Sequence, residues 1–293
     1  MRRWFCSLLA GLALAGGAAL AQPVEVLDDR GQALRLERPP QRIVSLLPSL
    51  TESVAALGAG ARLVGVDRYS NWPPEVAALP RLGGLDDAQI EAIVRLKPDV
   101  VLASSSARAL DRLEALGLPV LRLKSDSHAD VRRSLRLLAR LLGTPAEGER
   151  VWARIEAQLA DAQARVPVAL RGRLVYFELG GGPYAAGASS FIGETLARLG
   201  LLNAVPAELG PFPKLNPEFV VRARPELVMG ALREQAALRA RPGWQAVPAL
   251  REGRLCGFDE AGYELLIRPG PRLGEGAALI ADCLQRLGAG GAR

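Results

Sequence analysis

The chain has 293 residues, of which 49% are hydrophobic and 23% are charged, and its formal net charge is +6. Acidic and basic residues are mixed throughout, unlike the clustered Lys and Arg of a nucleic-acid-binding surface, so we expect no nucleic-acid partner. The length that remains after the leader described next, about 270 residues, exceeds one typical domain and suits two.

The amino terminus has the pattern of a secretory signal peptide. Two arginines precede an apolar run that starts at Trp4 and closes with Ala19-Leu20-Ala21, which predicts cleavage before Gln22 and lowers the net charge from +6 to +4. The run is too short and too rich in glycine and alanine to be a convincing membrane span, although a retained anchor is the alternative. Cys6 lies inside the leader rather than directly after it, so no lipid attachment is expected.

Strands and helices alternate in the first half of the mature chain. The glycine turn Asp29-Arg30-Gly31 predicts a hairpin that starts at Val24. Ser49 and Glu52 have the spacing of a capping box, which predicts that a helix begins there and ends at Gly58. Because the strands are apolar on both faces, this alternation predicts a parallel α/β sheet. The other predicted elements of this half are strands 42–46, 63–66, 100–103 and 120–123, and helices 88–96 and 107–116.

The pattern changes after His128, which we interpret as a loop or capping residue. One helix is predicted over 129–142, and Pro145 suits the first turn of a second helix that continues to Arg165. At about 1.5 Å per residue, this second helix would be a rod roughly 30 Å long. Strand and helix alternation then resumes.

The second half of the chain repeats the first in the same order. The phrase EAIVRLKPDVVLA at Glu91 recurs as EFVVRARPELVMG at Glu218, with five of thirteen positions identical. The segments 42–44 and 52–58 likewise correspond to 173–175 and 194–200. Three matches in register predict two similar α/β lobes joined by the long helix; chance similarity of amphipathic helices is the alternative. The predicted boundaries are 1–21 for the signal peptide, 22–144 for the N-terminal lobe, 145–166 for the bridging helix and 167–293 for the C-terminal lobe.

A cleft between two such lobes is the expected binding site, because ligands of open α/β sheets lie beyond the carboxyl ends of the strands. Tyr69 and Trp72 in the first lobe, and Tyr184 and Phe212 in the second, fall in loops after strands beside glycine and proline. They are candidate walls for a large flat ligand, although each could instead be a core residue beneath a loop. Arg268 is a candidate polar anchor, with simple solvation as the alternative.

Four segments resemble the periplasmic binding proteins of the vitamin B12 and iron-siderophore importers: SLLPSLTES, YSNWPPE, EAIVRLKPD and RPGPR. The resemblance extends over essentially the whole mature chain and is strongest to the vitamin B12 binders. It implies a monomer of two α/β lobes whose bridging helix restricts hinge opening, the helical-backbone class III fold. It also implies that Tyr69, Phe212 and the Arg268 region face the ligand, and Pro48 in the first segment is a further ligand-binding candidate.

The resemblance has one departure that bears on the ligand. Leu85 stands where the vitamin B12 binders have a tryptophan before the first docking helix, and Phe212 stands where they have a second one. The loss of these indoles leaves the family unchanged and the identity of the ligand open.

Each copy of the repeated phrase begins with a glutamate in the first turn of a predicted helix. Asn216-Pro217 is a cap and a first-turn proline before Glu218, and Asp86 or Asp87 is expected to cap the helix of Glu91. A carboxylate in this position stabilises a helix by about 0.3–1 kcal/mol, which alone would account for one copy. The resemblance implies a second role, in which the two glutamates pair with arginines of a two-fold symmetric permease.

We therefore expect a periplasmic binding protein that delivers cobalamin or a similar corrinoid to an ABC importer and needs no cofactor of its own. An iron-siderophore or haem receptor is the alternative, although an anionic siderophore calls for convergent cations and only Arg268 and Arg272 are candidates. A bare-metal site is not expected, because His128 is the single histidine. A secreted hydrolase is the competing class, but the sequence has no GxSxG, HExxH or Walker motif, so we expect no enzyme.

Two cysteines, Cys256 and Cys283, follow the leader. They belong to a compartment in which disulfides persist, so one bridge is an option. Two buried free thiols are the other, since a sequence does not supply the separation of the Cα atoms.

Overall fold

The computed structural model describes residues 23–107 and 110–290. The predicted signal peptide, its cleavage site and Cys6 lie outside these residues. The described chain forms two β-sheets with parallel cores, one in each lobe, and a separate two-stranded hairpin, and a single long helix bridges the lobes. This is the predicted fold class. None of the helices in the described residues is both long enough and apolar enough to cross a membrane.

The first lobe opens with an antiparallel hairpin, β1 (Val24–Leu27) and β2 (Ala33–Leu36), with Gly31 in its turn at a φ of 79°. Four parallel strands and three helices follow: β3 (Ile43–Ser45), α1 (Pro48–Ala56), β4 (Leu63–Val66), α2 (Ile90–Arg95), β5 (Val100–Ser104), α3 (Asp111–Ala115) and β6 (Val120–Leu123). The order across the sheet is β4-β3-β5-β6. The predicted strands of this lobe are confirmed.

The first lobe ends with α4 (His128–Leu141), and α5 (Pro145–Arg165) bridges it to the second lobe. The bounds of α5 are those predicted, because Pro145 occupies its first turn and Pro167 prevents its continuation. Its buried stripe includes Val151, Ile155 and Leu159, which recur at the predicted spacing of four residues.

The second lobe contains five strands and six helices. In chain order they are β7 (Leu174–Leu179), β8 (Tyr184–Ala185), α6 (Phe191–Arg198), β9 (Leu202–Asn203), α7 (Pro217–Ala223), β10 (Leu227–Ala231), α8 (Gln235–Ala240), α9 (Pro248–Arg251), β11 (Leu255–Phe258), α10 (Glu260–Leu266) and α11 (Leu273–Gly290). The sheet order is β11-β10-β7-β8, and β9 also pairs with β7. Among the described strand pairs of this sheet, β7 and β8 are antiparallel and the other three pairs are parallel.

One hydrophobic core runs through both lobes and along α5. Because successive strand residues point to opposite faces, Ile43 and Val175 belong to this shared core, while their neighbours Val44 and Tyr176 belong to a separate cluster on the outer face of each sheet. Ile155 of α5 is fully buried in the shared core. The bridging helix is therefore packed against the shared core along one face, and its opposite face is exposed.

The beginning of α1 differs from the prediction. The helix begins at Pro48 with Leu47 as its cap, and no side chain makes a capping hydrogen bond. Ser49 and Glu52 are buried, and the Glu52 carboxylate accepts a hydrogen bond from Arg268 in the second lobe. The predicted capping box is wrong because a contact between the lobes uses the carboxylate that the cap would need.

The caps of α2 and α4 also correct the sequence interpretation. Neither Asp86 nor Asp87 caps α2, and the Oδ1 atom of Asp87 instead accepts a hydrogen bond from the Gly84 N–H at 2.8 Å. Ser127 rather than His128 caps α4. His128 is a buried residue whose Nε2 lies 3.1 Å from the Phe191 carbonyl oxygen, so it joins the two lobes instead of ending a loop.

Cys256 of β11 and Cys283 of α11 form a disulfide, with their Cα atoms 5.9 Å apart. This separation lies in the usual range for such a bond. Of the two alternatives left by the sequence, the structure has the bridge. It fixes the last helix to the edge strand of the second sheet.

Candidate functional site

The predicted ligand-facing residues lie in segments that follow the strands of each sheet. Tyr69 and Trp72 lie in the loop after β4, and Pro48 is the half-buried first residue of α1, after β3. Tyr184 begins β8, and Phe212 lies in the loop between β9 and α7. Both lobes thus contribute aromatic side chains from the regions where open α/β sheets bind ligands.

Asp67 fixes the loop that carries Tyr69. Its buried carboxylate accepts a hydrogen bond from the Tyr69 N–H at 2.7 Å and another from the Ser70 hydroxyl. Burial raises the pKa of Asp67, and the hydrogen bonds from the Ser70 side chain and the backbone oppose that rise. The Tyr69 side chain itself is 61% exposed, with the Arg68 guanidinium 5.8 Å from the ring centre. A rigid backbone therefore presents a free phenol ring.

Trp72 is half-buried, and an arginine covers one side of its indole. The Arg272 guanidinium lies 4.6 Å from the ring centre, a distance at which the cation is attracted to the π-electrons. Glu275 holds Arg272 in turn through an ion pair with an N–O distance of 2.8 Å. The indole thus has one covered face, and its orientation is defined from the second lobe.

Arg268 lies in a buried network and is only 8% exposed. Its guanidinium donates to the main-chain oxygen of Tyr69 at 3.1 Å and to Asn71 Oδ1 at 2.7 Å. It also donates to the carboxylates of Glu52 at 3.1 Å and Glu264 at 2.8 Å. These donors are occupied within the protein, so direct contact of Arg268 with a ligand stays a prediction that would require hydrogen bonds to be exchanged.

Tyr184 and Phe212 lie on adjacent segments of the second lobe. Tyr184 is 49% exposed and forms an antiparallel bridge with Lys214, next to the Phe212 loop. Phe212 is half-buried and meets Phe191 edge-on, with 5.9 Å between the ring centres. Of this pair, Tyr184 offers the more exposed ring, while part of Phe212 supports the loop from beneath.

Sequence interpretation missed a buried acid that supports the Tyr184 turn. Glu178 lies on β7 and accepts hydrogen bonds from both terminal nitrogens of Arg241, which also donates to the Gly181 carbonyl at 3.0 Å. Three successive glycines, residues 180–182, have φ values of 60°, 76° and 78°, which only glycine adopts readily. A charged residue in the apolar run VYFEL was the available signal, since buried acids are nearly always paired.

Three consecutive serines were also missed. Ser104 is the last residue of β5 and Ser105 and Ser106 follow it, and the hydroxyls of Ser104 and Ser106 lie 2.9 Å apart. They are at least partly exposed. Hydroxyls at the carboxyl end of a parallel strand are suitable hydrogen-bonding partners for polar groups on a ligand. The run SSS after an apolar strand was the signal.

The two glutamates of the repeated phrase occupy equivalent places in the two lobes. Glu91 lies in the first turn of α2 before β5, and Glu218 lies in the first turn of α7 before β10. The Glu91 side chain is 70% exposed and lies 3.7 Å from Arg112, and Glu218 is also exposed. The predicted cap of α7 is confirmed, since Asn216 Oδ1 accepts a hydrogen bond from the Glu218 N–H at 3.0 Å.

Metal-ligating side chains are not clustered in the described part of the chain. Within residues 23–107 and 110–290, no group of three or more His, Cys, Asp or Glu side chains is arranged to hold an ion.

Comparison with known proteins identifies similar chains. A family model described as "Periplasmic binding protein" matches residues 43–261. A vitamin B12-binding protein of Pectobacterium atrosepticum is 27% identical over 85% of this chain and 90% of its own length. An uncharacterized ABC transporter substrate-binding lipoprotein of Bacillus subtilis is 28% identical over 96% of both chains. The solved structure of a periplasmic heme-binding protein from Roseiflexus sp. RS-1 has 29% identity and a TM-score of 0.72, covering 84% of this chain and 98% of that one.

These similar proteins are binding proteins rather than enzymes. Those with a named ligand differ in what it is, vitamin B12 in one and heme in another. Family and fold are thus defined by the comparisons, and the choice of ligand depends on the residues of this chain.

Proposed function

The chain belongs to the periplasmic binding protein family, and from that premise we propose that it captures cobalamin or a similar corrinoid between its lobes and delivers it to an ABC importer. Cleavage of the leader near Ala21 would release the mature protein into the periplasm. It would be a monomer that consists of the two lobes and the bridging helix. The observation that carries the proposal is the exposure of Tyr69 and Tyr184, one ring from each lobe, in segments that follow the sheet strands.

Two features of these segments favour a corrinoid. A corrin ring presents a broad face that suits aromatic side chains, and its rim carries amides that suit hydroxyl groups. The rings of Tyr69, Trp72, Tyr184 and Phe212 supply the first kind of contact, and the serines at 104–106 supply the second. Pro48 adds a rigid apolar surface beside β3.

Haem is the second candidate, and the exposed phenol of Tyr69 favours it. A tyrosine oxygen is one of the protein ligands that haem iron accepts. The similarity to the Roseiflexus heme-binding protein also supports haem as a candidate ligand. An anionic siderophore is less well supported, because Arg268 and Arg272 are both engaged with protein carboxylates.

Substitution of Tyr69 tests the proposal and separates these ligands. Tyr69→Phe keeps the ring and removes the oxygen, so we expect cyanocobalamin affinity near that of the wild type. Tyr69→Ala removes the ring and should weaken cyanocobalamin binding about tenfold, which corresponds to about 1.4 kcal/mol. If haem is the ligand, Tyr69→Phe should instead change the visible absorption of the haem complex. Unchanged cyanocobalamin affinity in Tyr69→Ala would contradict the proposed wall.

The proposed contact with the importer uses Glu91 and Glu218. A carboxylate and a guanidinium form a geometrically specific pair, so two such pairs would set the orientation of the protein on the permease. A two-fold permease dimer presents the same basic site twice, which gives a reason for the same acid at equivalent places in both lobes. The exposure of both glutamates in first helical turns supports this role.

A further inference from the structure

The segment Arg268–Arg272, between α10 and α11, belongs to the second lobe and contacts the first. We refer to residues 268–272 as the clamp segment. Its middle residue, Gly270, lies so close to α1 that an added Cβ would stand 3.3 Å from the Ser49 carbonyl oxygen. The clamp segment is therefore packed directly on the helix that follows β3.

Arg268 ties the aromatic loop of the first lobe to the second lobe. Two of its acceptors, the Tyr69 main-chain oxygen and Asn71 Oδ1, belong to that loop. A third, Glu264 Oε2, belongs to α10 of the second lobe and also accepts a hydrogen bond from Asn71 Nδ2 at 2.8 Å. Arg268, Asn71 and Glu264 thus form a closed ring of hydrogen bonds between the lobes.

Arg272 makes the second attachment, on the side chain of Trp72. Its guanidinium covers the indole at 4.6 Å from the ring centre, while Glu275 of α11 holds the guanidinium from behind. The clamp segment therefore holds the backbone at Tyr69 and the ring of Trp72 at the same time. Both residues are proposed parts of the ligand-binding wall, yet both arginines come from the opposite lobe.

We propose that Arg268 and Arg272 are positioning residues, through which the second lobe sets the presentation of Tyr69 and Trp72 and thereby the affinity for the ligand. Neither arginine has to touch the ligand for this. The wall has its described form only while the lobes keep this relative arrangement, so the hinge position and ligand recognition are coupled. The part of the inference that concerns affinity rests on the proposed function; the positioning of Trp72 does not.

The geometry requires arginine at position 268. A guanidinium has five N–H donors in a planar fork, whereas a lysine has three donors on one nitrogen and cannot meet four separated acceptors in this way. A cation alone accounts for much of the contact between Arg272 and Trp72. Lysine should therefore replace Arg272 better than Arg268, which is a difference that general loss of stability would not produce.

Acrylamide quenching of tryptophan fluorescence in the ligand-free mature protein tests the positioning. Trp72 is the most accessible tryptophan of the described residues, since Trp152 and Trp244 are 8% and 1% exposed. Arg272→Gln uncovers its ring and should raise the quenching constant about twofold, while Arg272→Lys should raise it less. Arg286→Gln, at an exposed site of α11 outside the clamp segment, is the matched control. Trp72→Phe confirms which indole responds.

Titration with cyanocobalamin then tests the effect on affinity. Arg268→Lys and Arg272→Gln should each weaken binding about tenfold, with Arg272→Lys closer to the wild type. Asn71→Ala removes one exposed member of the hydrogen-bonded ring and serves if Arg268→Lys fails to fold. Affinities equal to that of Arg286→Gln would overturn the link to recognition, and unchanged quenching in Arg272→Gln would overturn the positioning. A wild-type protein that binds no cyanocobalamin contradicts the proposed function alone, because quenching is measured without ligand.

Discussion

Three titratable side chains are buried where the lobes meet or at the candidate site, and burial shifts the pKa of each. Burial raises the pKa of Glu52, and the hydrogen bond from Arg268 opposes the rise. Burial also raises the pKa of Asp67. It lowers the pKa of His128, and the nearby Glu194 carboxylate opposes that effect. The pKa values of the two acids are thus raised and that of the histidine is lowered, so the acids and the histidine make stability depend on pH in opposite directions.

Glu52→Gln should reduce the dependence of stability on pH above 4.5, the ordinary pKa of the glutamate. The raised pKa means that the folded protein keeps a proton that the unfolded chain has already lost, so the free energy of unfolding falls as pH rises from 4.5 through the raised value. Because glutamine cannot ionise, the fall in the free energy of unfolding should be smaller in Glu52→Gln. Asp67 should account for part of the fall that remains. Urea unfolding at a series of pH values measures this dependence of the free energy of unfolding on pH.

The exposed Glu75 provides the control, because Glu75→Gln removes a carboxylate from the surface rather than from the interior. Identical pH dependence in Glu52→Gln and the wild type would show that Glu52 does not hold a proton in the folded state at these pH values.

His128→Gln should have the opposite effect. The folded protein disfavours the charged imidazole, so the free energy of unfolding falls as pH drops below the ordinary pKa of 6.5 toward the lowered value. Glutamine retains a donor for the Phe191 carbonyl and removes the titration, so stability should decrease less between pH 6.5 and 5. Cyanocobalamin affinity should be unchanged, and its loss would place His128 in the binding site.

At the residue scale, local sequence signals located the loops that contain Tyr69, Trp72 and Tyr184, because strand ends, glycine and proline are visible in sequence. Partners of buried charges were not predictable in the same way. Glu52 and Arg268 are 216 residues apart, and no local pattern joins them. The capping-box spacing of Ser49 and Glu52 was satisfied in sequence and overridden by this distant contact.

Helix α5 is the clearest case of an element defined by its own sequence. Proline at its start, proline after its end and an apolar residue every fourth position all favour the same 21-residue helix. Helix α7 is similar, because Asn216 and Pro217 specify its first turn locally. By contrast, α2 lacks a side-chain cap, since Asp87 is used by the Gly84 loop, and its stability depends on packing.

The disulfide between β11 and α11 should stabilise the second lobe without affecting recognition. Its cysteines are 27 residues apart, and closing a loop of that length in the unfolded chain corresponds to about 3.5 kcal/mol in the chain-entropy model. A Cys256→Ala, Cys283→Ala double variant should lose stability on that scale in chemical denaturation while keeping its cyanocobalamin affinity. Equal stability of the variant and the oxidised wild type would contradict a structural role for the bond.

The whole molecule reflects the repeat that its sequence contains. The two sheets have like core topology, and the lobes share a hydrophobic core that includes the buried face of the bridging helix, so the lobes are distinct yet packed together. Order-preserving repeats made the two lobes predictable. The contacts between the lobes were not predictable, because the clamp segment and His128 each contact the other lobe and have no counterpart in the repeated phrases.

Docking on the permease is a property of the whole molecule, because each lobe contributes one of the two glutamates. The double variant Glu91→Ala, Glu218→Ala should keep cyanocobalamin affinity near that of the wild type and weaken capture by a reconstituted permease about tenfold or more. Exposed Glu75→Ala with Glu260→Ala is a control with the same change in charge. Loss of ligand binding in the docking variant would refute the assignment, and so would capture equal to that of the control.

Calorimetric titration of the mature protein with cyanocobalamin, and separately with haemin and a ferric siderophore, tests the central claim most directly. We predict saturable binding of one cyanocobalamin per chain, because the two lobes contribute to a single cleft. Absence of cyanocobalamin binding together with saturable binding of haemin or the siderophore would contradict the proposed ligand.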